Sequence, residues 1–185
     1  MSRIEAVNPK EAIGETKELL DAVQQKLGIV PNFLRVFAHS PKALAAFLGL
    51  FENIGQGVLD PKIGERIALA VAESNGCQYC VSAHTAIAQK AGLDHDEIVN
   101  ARNGGSVDAK ADAAVKLASA LNKNRGSLTT MEFAQAKEAG LSDAEIIEIV
   151  THVGLNFLTN MIGKSMQVKI DFPEVQLLNG IREAA

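Results

Sequence analysis

Apolar residues recur along most of the chain at the three- and four-residue intervals of an amphipathic helix. In the first such segment Leu19, Leu20, Val23 and Leu27 follow this spacing. No stretch shows the alternation of apolar and polar residues, bounded by hairpin turns, that is typical of a half-exposed β-strand. The pattern therefore predicts an all-α protein, a helical bundle rather than a sheet-based fold.

Residues that begin and end helices separate these apolar segments. Starts are predicted where a capping side chain, often followed by proline or by a glutamate three residues later, precedes an apolar run. These starts are at Asn8-Pro9, Ser40-Pro41, Asp60-Pro61, Asp94, Asp108, Thr129 and Ser142, and the glutamates at capping-box spacing are Glu97, Glu132 and Glu145. Predicted ends are at Gly28, Asn75-Gly76, Gly92, Gly104-Gly105 and Gly140. A short helix is expected from about Pro31 to about His39, and the last helix could reach Ile170. These signals predict eight or nine helices in a single domain, residues 1–185.

Composition places the chain among ordinary globular proteins. Of its 185 residues, 47% are hydrophobic and 22% are charged, with a formal net charge of −4. Positive residues are scattered, which argues against nucleic acid as the main partner. The N-terminal residues lack the apolar run of a signal peptide, and no window approaches the roughly 18 apolar residues of a membrane helix. We therefore expect a cytoplasmic protein with no membrane partner.

Both cysteines, Cys77 and Cys80, lie in one short segment at Cys-x-x-Cys spacing. In a reducing compartment such a pair is more often catalytic or metal-binding than structural. Because Asn75-Gly76 predicts a helix break, Cys77 would lie at the start of a new helix, where free amides and the helix dipole stabilise a thiolate. His84 lies one turn after Cys80 and two turns after Cys77, so it is better placed to exchange a proton with Cys80.

Glu65 is the candidate partner of His84. It precedes the apolar residues 67–72 and is too far past Asp60 to close a capping box. Burying its carboxylate without a partner would be costly, and His84 on a packed neighbouring helix would supply one. Glu73 is closer to the cysteines in sequence, but the helix break should turn it away from them, and we expect it to be solvated at the surface.

Other polar residues have weaker claims to the site. Tyr79 could flank it or simply pack in the core. His152 lies in an apolar helix, where it could be a core histidine or line the site. His39 and His95 lie near predicted helix starts, and we assign no chemistry to them.

Three interpretations of the cysteine segment stay open at this point. A pair at i, i+3 can reach disulfide distance at a helix start with little backbone movement, which suits a bond that is made and broken. Cys77, Cys80 and His84, with Glu65, could instead hold a metal ion. The two thiols could also be inert core residues. Haem attachment is excluded, because Val81 rather than histidine follows Cys80.

The segment resembles the alkylhydroperoxidase D-like (AhpD-like) branch of the carboxymuconolactone decarboxylase family. That branch has a glutamate twelve residues before the first cysteine, then Cys-x-x-Cys, then a histidine four residues later. In this sequence the matching residues are Glu65, Cys77, Cys80 and His84. Residues 28–33 and Ser40-Pro41 are similar to its peroxidase-related subgroup, so the likeness extends from about Gly28 to Pro173.

The resemblance implies an all-helical subunit that forms homo-oligomers, commonly trimers or hexamers. It also implies a peroxidase acting on hydrogen peroxide or organic hydroperoxides without a cofactor or metal. Cys80, activated through His84 and Glu65, would become a sulfenic acid, and Cys77 would condense with it to give a disulfide. An external dithiol would restore the reduced form. In the best-known branch the donor is a lipoyl-bearing protein and the recipient a peroxiredoxin, although that branch has a histidine where this chain has Tyr79.

Two other functions are compatible with the same residues. The first is a disulfide-exchange adaptor, for example a dithiol reductant of a peroxiredoxin, and the second is a metal-binding or sensory module. True decarboxylases of the family lack the cysteine pair, so lactone decarboxylation is not expected. The expected activity is therefore that of an oxidoreductase, a peroxidase that uses a dithiol donor.

Overall fold

The computed structural model describes residues 2–178, and this part of the chain contains nine α-helices and no β-strand. The prediction of an all-α fold with eight or nine helices is confirmed. In chain order the helices are α1 (Gly14–Leu27), α2 (Asn32–Phe37), α3 (Pro41–Ile54), α4 (Pro61–Ser74), α5 (Gln78–Lys90), α6 (His95–Arg102), α7 (Ala109–Lys123), α8 (Thr130–Glu138) and α9 (Asp143–Ser165).

Most helices begin at the capping residues that the sequence indicated. Six of the predicted N-cap side chains accept a hydrogen bond from a backbone N–H of the first turn, which satisfies a donor that the helix leaves free. These residues are Ser40, Asp60, Asp94, Asp108, Thr129 and Ser142. At Thr129 and Ser142 the glutamate three residues later completes the capping box.

The first and last helices differ from their predicted bounds. Asn8 forms an isolated turn, in which its side chain accepts a hydrogen bond from Lys10 N (3.1 Å), and α1 begins only at Gly14. At the other end α9 stops at Ser165 instead of reaching Ile170. Gln167 has a left-handed backbone (φ 49°), which ends the helical path although the sequence there carries no glycine.

Helix α4 is the central element, because it packs against α5, α6, α7 and α9. Almost every residue from Ile63 to Ala72 is buried. One apolar cluster lies among α1, α2, α3 and α5 and includes the two cysteines, and a second lies among α4, α7 and α9. The helices that carry the candidate site residues therefore form the interior of the fold.

Two buried ion pairs join α4 to α6, and both correct the sequence-based interpretation. Glu97 does not close a capping box: its carboxylate accepts a hydrogen bond from Arg66 Nε (2.7 Å) and others from Ser106 and Val107. Burial raises the pKa of Glu97, but these hydrogen bonds outweigh it and hold the pKa below its usual value. Glu73 was wrongly expected at the surface, since its side chain is 5% exposed and pairs with Arg102 at 2.8 Å.

The chain after α9, residues 166–178, which we call the C-terminal segment, runs back along α5. Gln78 Nε2 donates to Glu174 (2.9 Å), Tyr79 Oη donates to Asp171 (2.9 Å), and the backbone N–H of residue 175 donates to Ser82 Oγ (3.0 Å). Both residues between the cysteines are therefore held by this segment.

No window of the sequence was expected to resemble a membrane helix, but among the described helices α9 has the length and apolar composition that would also allow it to cross a membrane. It packs against α3, α4, α5 and α7, as a core helix does.

Candidate functional site

The two cysteines are joined by a disulfide at the start of α5. Gly76, with a left-handed backbone (φ 64°), ends the preceding turn, and Cys77 is the N-cap of α5. The Cys77 sulfur accepts a hydrogen bond from Cys80 N (3.4 Å), and the two Cα atoms are 5.3 Å apart. The two cysteines thus lie within disulfide distance of each other at a helix N-terminus. The residues are 1% and 4% exposed, respectively.

His84 and Glu65 form a hydrogen-bonded pair between α5 and α4. The imidazole Nδ1 lies 2.9 Å from Glu65 Oε2, and because the carboxylate can only accept, Nδ1 is the donor. This bond fixes the tautomer, so that Nε2 of the neutral ring is left as an acceptor. Both side chains are partly accessible. The expected pairing of the two residues on adjacent helices is therefore present.

A cavity of about 240 Å³ opens beside this pair. Its lining includes an aromatic wall, in which the centroids of neighbouring rings lie 5.7–6.0 Å apart, and a polar wall that carries the reactive groups. The aromatic residues are Phe33, Phe47, Phe51, Tyr79 and Phe172. The polar wall is formed by Glu65, Cys80, His84, His152, Asn156 and Thr159. The cavity thus suits a ligand that has an apolar body and a small polar or reactive group.

The two sulfurs have different surroundings. Cys80 lines the cavity with His84, one turn further along α5. Cys77 lies instead under α9, where an ideal Cβ on Gly163 would be 2.9 Å from its sulfur. A small molecule in the cavity would therefore meet Cys80 and not Cys77.

Tyr79 both flanks the cavity and packs in the core. Its hydroxyl accepts a hydrogen bond from Phe33 N (3.2 Å) and donates one to Asp171. The pKa of Tyr79 is raised, mainly because the side chain is buried, so the hydroxyl stays protonated at neutral pH. Tyr79 therefore links the cysteine segment to α2 and to the C-terminal segment.

His152 lies on the cavity wall and packs against Gly64, the residue before Glu65. Burial is the largest influence on the imidazole and lowers its pKa. The negative charges of Glu148 and Glu65 raise the pKa, the charge of His84 lowers it, and the net result is a lowered pKa. The other two histidines lie elsewhere: His39 Nε2 contacts the Glu5 carbonyl oxygen (2.8 Å), and His95 is exposed on α6.

Asn156 and Thr159 are cavity residues that sequence reasoning missed. Asn156 is buried, and its Nδ2 donates to the His152 carbonyl oxygen (2.8 Å), while Thr159 Oγ1 donates to the Asn156 carbonyl oxygen (2.9 Å). Polar residues within the otherwise apolar α9 were the available signal. Within residues 2–178, no three His, Cys, Asp or Glu side chains are grouped so that they could hold a metal ion.

Comparison with known proteins gives a family match over part of the chain and a fold over most of it. Residues 41–123 match the carboxymuconolactone decarboxylase family. No curated protein matches the chain significantly. The structure is similar to the alkylhydroperoxidase AhpD core of a peroxidase-related protein from Ralstonia eutropha JMP134, with a TM-score of 0.81 and 21% identity over 92% of each chain.

Two other solved structures have the same fold at similar identity. A peroxidase-related protein from Silicibacter sp. TM1040 has a TM-score of 0.77 and 23% identity, covering 89% of this chain and 91% of that one. The debrominase Bmp8 has a TM-score of 0.77 and 22% identity over 91% of each chain. A cysteine-to-alanine variant of that debrominase was solved with 2,3,4-tribromopyrrole. At these identities the likeness concerns the fold.

Proposed function

We propose that this chain, in which residues 41–123 match the carboxymuconolactone decarboxylase family, is an AhpD-like protein and a thiol-dependent peroxidase that works through Cys77 and Cys80. One observation supports the proposal: Cys80, within a disulfide, lines the same cavity as the hydrogen-bonded pair His84 and Glu65. A redox-active sulfur, a base and a carboxylate that orients the base are the groups that a thiol peroxidase needs.

The proposed cycle begins with the reduced dithiol. His84 Nε2 takes the Cys80 thiol proton, and Glu65 stabilises the resulting imidazolium. The thiolate attacks one peroxide oxygen, so that an S–O bond forms as the O–O bond breaks, and the leaving alkoxide takes the proton from His84. The products are an alcohol and a Cys80 sulfenic acid. The Cys77 thiol then displaces water from that sulfenic acid and forms the disulfide present in this structure.

The cavity favours organic hydroperoxides over hydrogen peroxide as substrates. Four phenylalanines and Tyr79 form one wall, and burying an apolar substituent against them would contribute about 25 cal/mol per Å² removed from water. Hydrogen peroxide has no substituent that could use this wall. We therefore expect a higher kcat/KM for cumene hydroperoxide than for hydrogen peroxide.

The proposed electron donor is an external dithiol that reaches Cys80 through the cavity. Because both cysteines are less than 5% exposed, a flat protein surface would not reach either sulfur without a rearrangement. A dithiol on a slender arm, such as a lipoyl group on a carrier protein, fits this geometry better. The same burial argues against a disulfide-exchange adaptor that binds folded proteins directly at its sulfurs.

We also propose that the protein acts as a homo-oligomer, a trimer or a hexamer. Helix α9 carries a stripe of large apolar side chains that are 44–65% exposed in the single chain. The stripe consists of Ile147, Val150, Phe157 and Met161. Its spacing of three, seven and four residues keeps it on one helix face, where a second copy could cover it. Light scattering of wild type and Phe157→Glu tests this, and a wild-type monomer would contradict it.

Reductive dehalogenation is a second candidate function. The aromatic wall beside Cys80 would accept a halogenated ring, and the debrominase Bmp8 shares the fold. In that reaction the two thiols would supply two electrons: the ring carbon exchanges its halogen for hydrogen, the disulfide forms, and hydrogen halide leaves. Bromide release from 2,3,4-tribromopyrrole by the reduced protein would favour this function over peroxide reduction.

Mass spectrometry after one equivalent of cumene hydroperoxide tests the peroxidase proposal. We expect the reduced wild type to form the disulfide and Cys77→Ser to accumulate a dimedone-reactive sulfenic acid on Cys80. Cys80→Ser should form neither product. Slow reaction with peroxide but fast exchange with dithiothreitol would favour an adaptor instead, and trapping of Cys77 first would reverse the assigned roles.

A further inference from the structure

Gly64 makes room for the imidazole of His152. An ideal Cβ on Gly64 would lie 3.1 Å from His152 Cε1, which is closer than most Cβ contacts, and 3.6 Å from Nε2, which is an ordinary contact distance. Gly64 lies inside α4, and glycine there weakens a helix relative to alanine. Its backbone does not have the left-handed conformation that favours glycine. Glycine at position 64 therefore leaves the space in which the His152 ring packs beside Glu65.

His152 and His84 lie on the same cavity wall but use their rings differently. His84 Nδ1 is bonded to Glu65. No hydrogen bond within residues 2–178 involves the ring nitrogens of His152, whose backbone carbonyl binds Asn156. Since burial keeps this imidazole neutral at neutral pH, it offers one N–H donor and one acceptor nitrogen. A neutral ring also avoids repulsion when His84 becomes an imidazolium.

We propose that His152 orients the bound hydroperoxide by a hydrogen bond between its imidazole and the peroxide oxygens. This role rests on the proposed peroxidase function and is separate from the proton transfer at His84. The polar wall would hold the O–O bond in line with the Cys80 sulfur, while the organic substituent lies against the aromatic wall. His152 therefore acts on substrate binding and alignment, not on thiolate formation.

Steady-state kinetics with cumene hydroperoxide and dithiothreitol test this role. We expect His152→Leu to lower kcat/KM about three- to tenfold, the effect of one lost hydrogen bond, mainly through KM. His152→Gln, which keeps a donor and an acceptor, should stay closer to wild type than His152→Leu. The exposed His95 on α6 supplies the control, and His95→Gln should match wild type. The pH profile of iodoacetamide alkylation of reduced protein should be the same in all four proteins, because His84 and Glu65 control the thiolate.

A double-mutant cycle of Gly64→Ala and His152→Leu distinguishes a specific effect on His152 from a general packing defect. The new methyl group should displace the imidazole and lower kcat/KM in the wild-type background. In the His152→Leu background it should have little further effect, so the two changes would be non-additive. Binding of cumyl alcohol to the oxidised proteins, measured by calorimetry, gives a readout independent of turnover, and we expect weaker binding in His152→Leu.

The outcomes separate this inference from the peroxidase proposal. Wild-type kcat/KM in His152→Leu, additive effects of the two substitutions, or a shifted alkylation profile in His152→Leu would each overturn the role of His152. A wild type that turns over no hydroperoxide contradicts the peroxidase proposal instead. In that case cumyl alcohol binding that depends on His152 would still support a ligand-orienting role for this residue.

Discussion

Gly163 of α9 lies directly against the disulfide, with its ideal Cβ position 2.9 Å from the Cys77 sulfur and 3.5 Å from the Cys80 sulfur. The backbone of α9 therefore covers Cys77 at a distance that no other residue type allows without a shift. Both cysteines are buried under this helix, at 1% and 4% exposure, and of the two only Cys80 lines the cavity.

Gly163→Ala should destabilise the oxidised protein by about 1–3 kcal/mol, because the added methyl group overpacks a filled site. Gly154 is the matched control, since it lies in the same helix and nothing comes within 4 Å of its ideal Cβ position. Gly154→Ala should be neutral or stabilising by up to about 1 kcal/mol through helix propensity. Urea unfolding of the two variants measures the difference, and equal free energies of unfolding would contradict the assigned contact.

Glu65→Gln should slow alkylation of the reduced protein and lower peroxidase kcat/KM about 10- to 100-fold. The amide keeps a hydrogen bond to His84 Nδ1 but no longer stabilises the imidazolium that forms when Cys80 loses its proton. Iodoacetamide alkylation between pH 5 and 9 measures the change. The exposed Glu138 on α8 is the control position, and a Glu65→Gln protein as reactive as Glu138→Gln would remove Glu65 from the mechanism.

Arg66→Met should cost about 3–5 kcal/mol of folding free energy, because it leaves the buried carboxylate of Glu97 without its charged partner. Lys116 on α7 offers a contrasting ion pair, since it binds Asp112 at 2.7 Å but is largely exposed. Lys116→Met should cost less than about 1 kcal/mol. Chemical denaturation at pH 7 compares the two, and similar losses would show that burial does not decide the strength of these pairs.

The stability of the wild type should depend on pH through His152. Its folded-state pKa lies below the usual value of 6.5, so the unfolded chain binds the proton more readily than the folded chain. The free energy of unfolding should therefore fall as the pH decreases from 7 through 6.5 towards the folded-state pKa. His152→Gln lacks this titration, and its stability should fall less over the same range. Parallel pH profiles of the two proteins would contradict the lowered pKa.

Local signals in the sequence were sufficient for the fold class and most helix starts. A capping side chain such as Ser142 acts within one turn of itself, so its effect can be predicted without knowing the tertiary structure. The partners of Glu97 and Glu73 could not be predicted from such local signals. The spacing of Glu97 from Asp94 is that of a capping box, but Arg66, on a helix that is distant in sequence, binds its carboxylate instead. Glu73 is covered by the C-terminal segment, whose residue Leu178 donates a backbone hydrogen bond to it. Both outcomes depend on long-range packing.

The candidate site likewise contains some residues that local spacing predicted and others that only tertiary packing brings together. Cys77, Cys80 and His84 lie within eight residues of each other, and Glu65 is on the preceding helix, so helical spacing was enough to suggest their proximity. The aromatic wall is contributed mainly by α2 and α3 and by the C-terminal segment, and no periodicity in those segments indicates a shared cavity. The position of His152 against Gly64 likewise arises only when α9 packs on α4.

Tyr79, which stands between the two cysteines, is the single tyrosine of a chain that has no tryptophan. Its ring therefore dominates the intrinsic ultraviolet emission of the protein, and a neighbouring disulfide quenches tyrosine emission more strongly than two thiols do. Opening and closing of the sulfur pair can thus be followed in real time, without a label, by stopped-flow fluorescence.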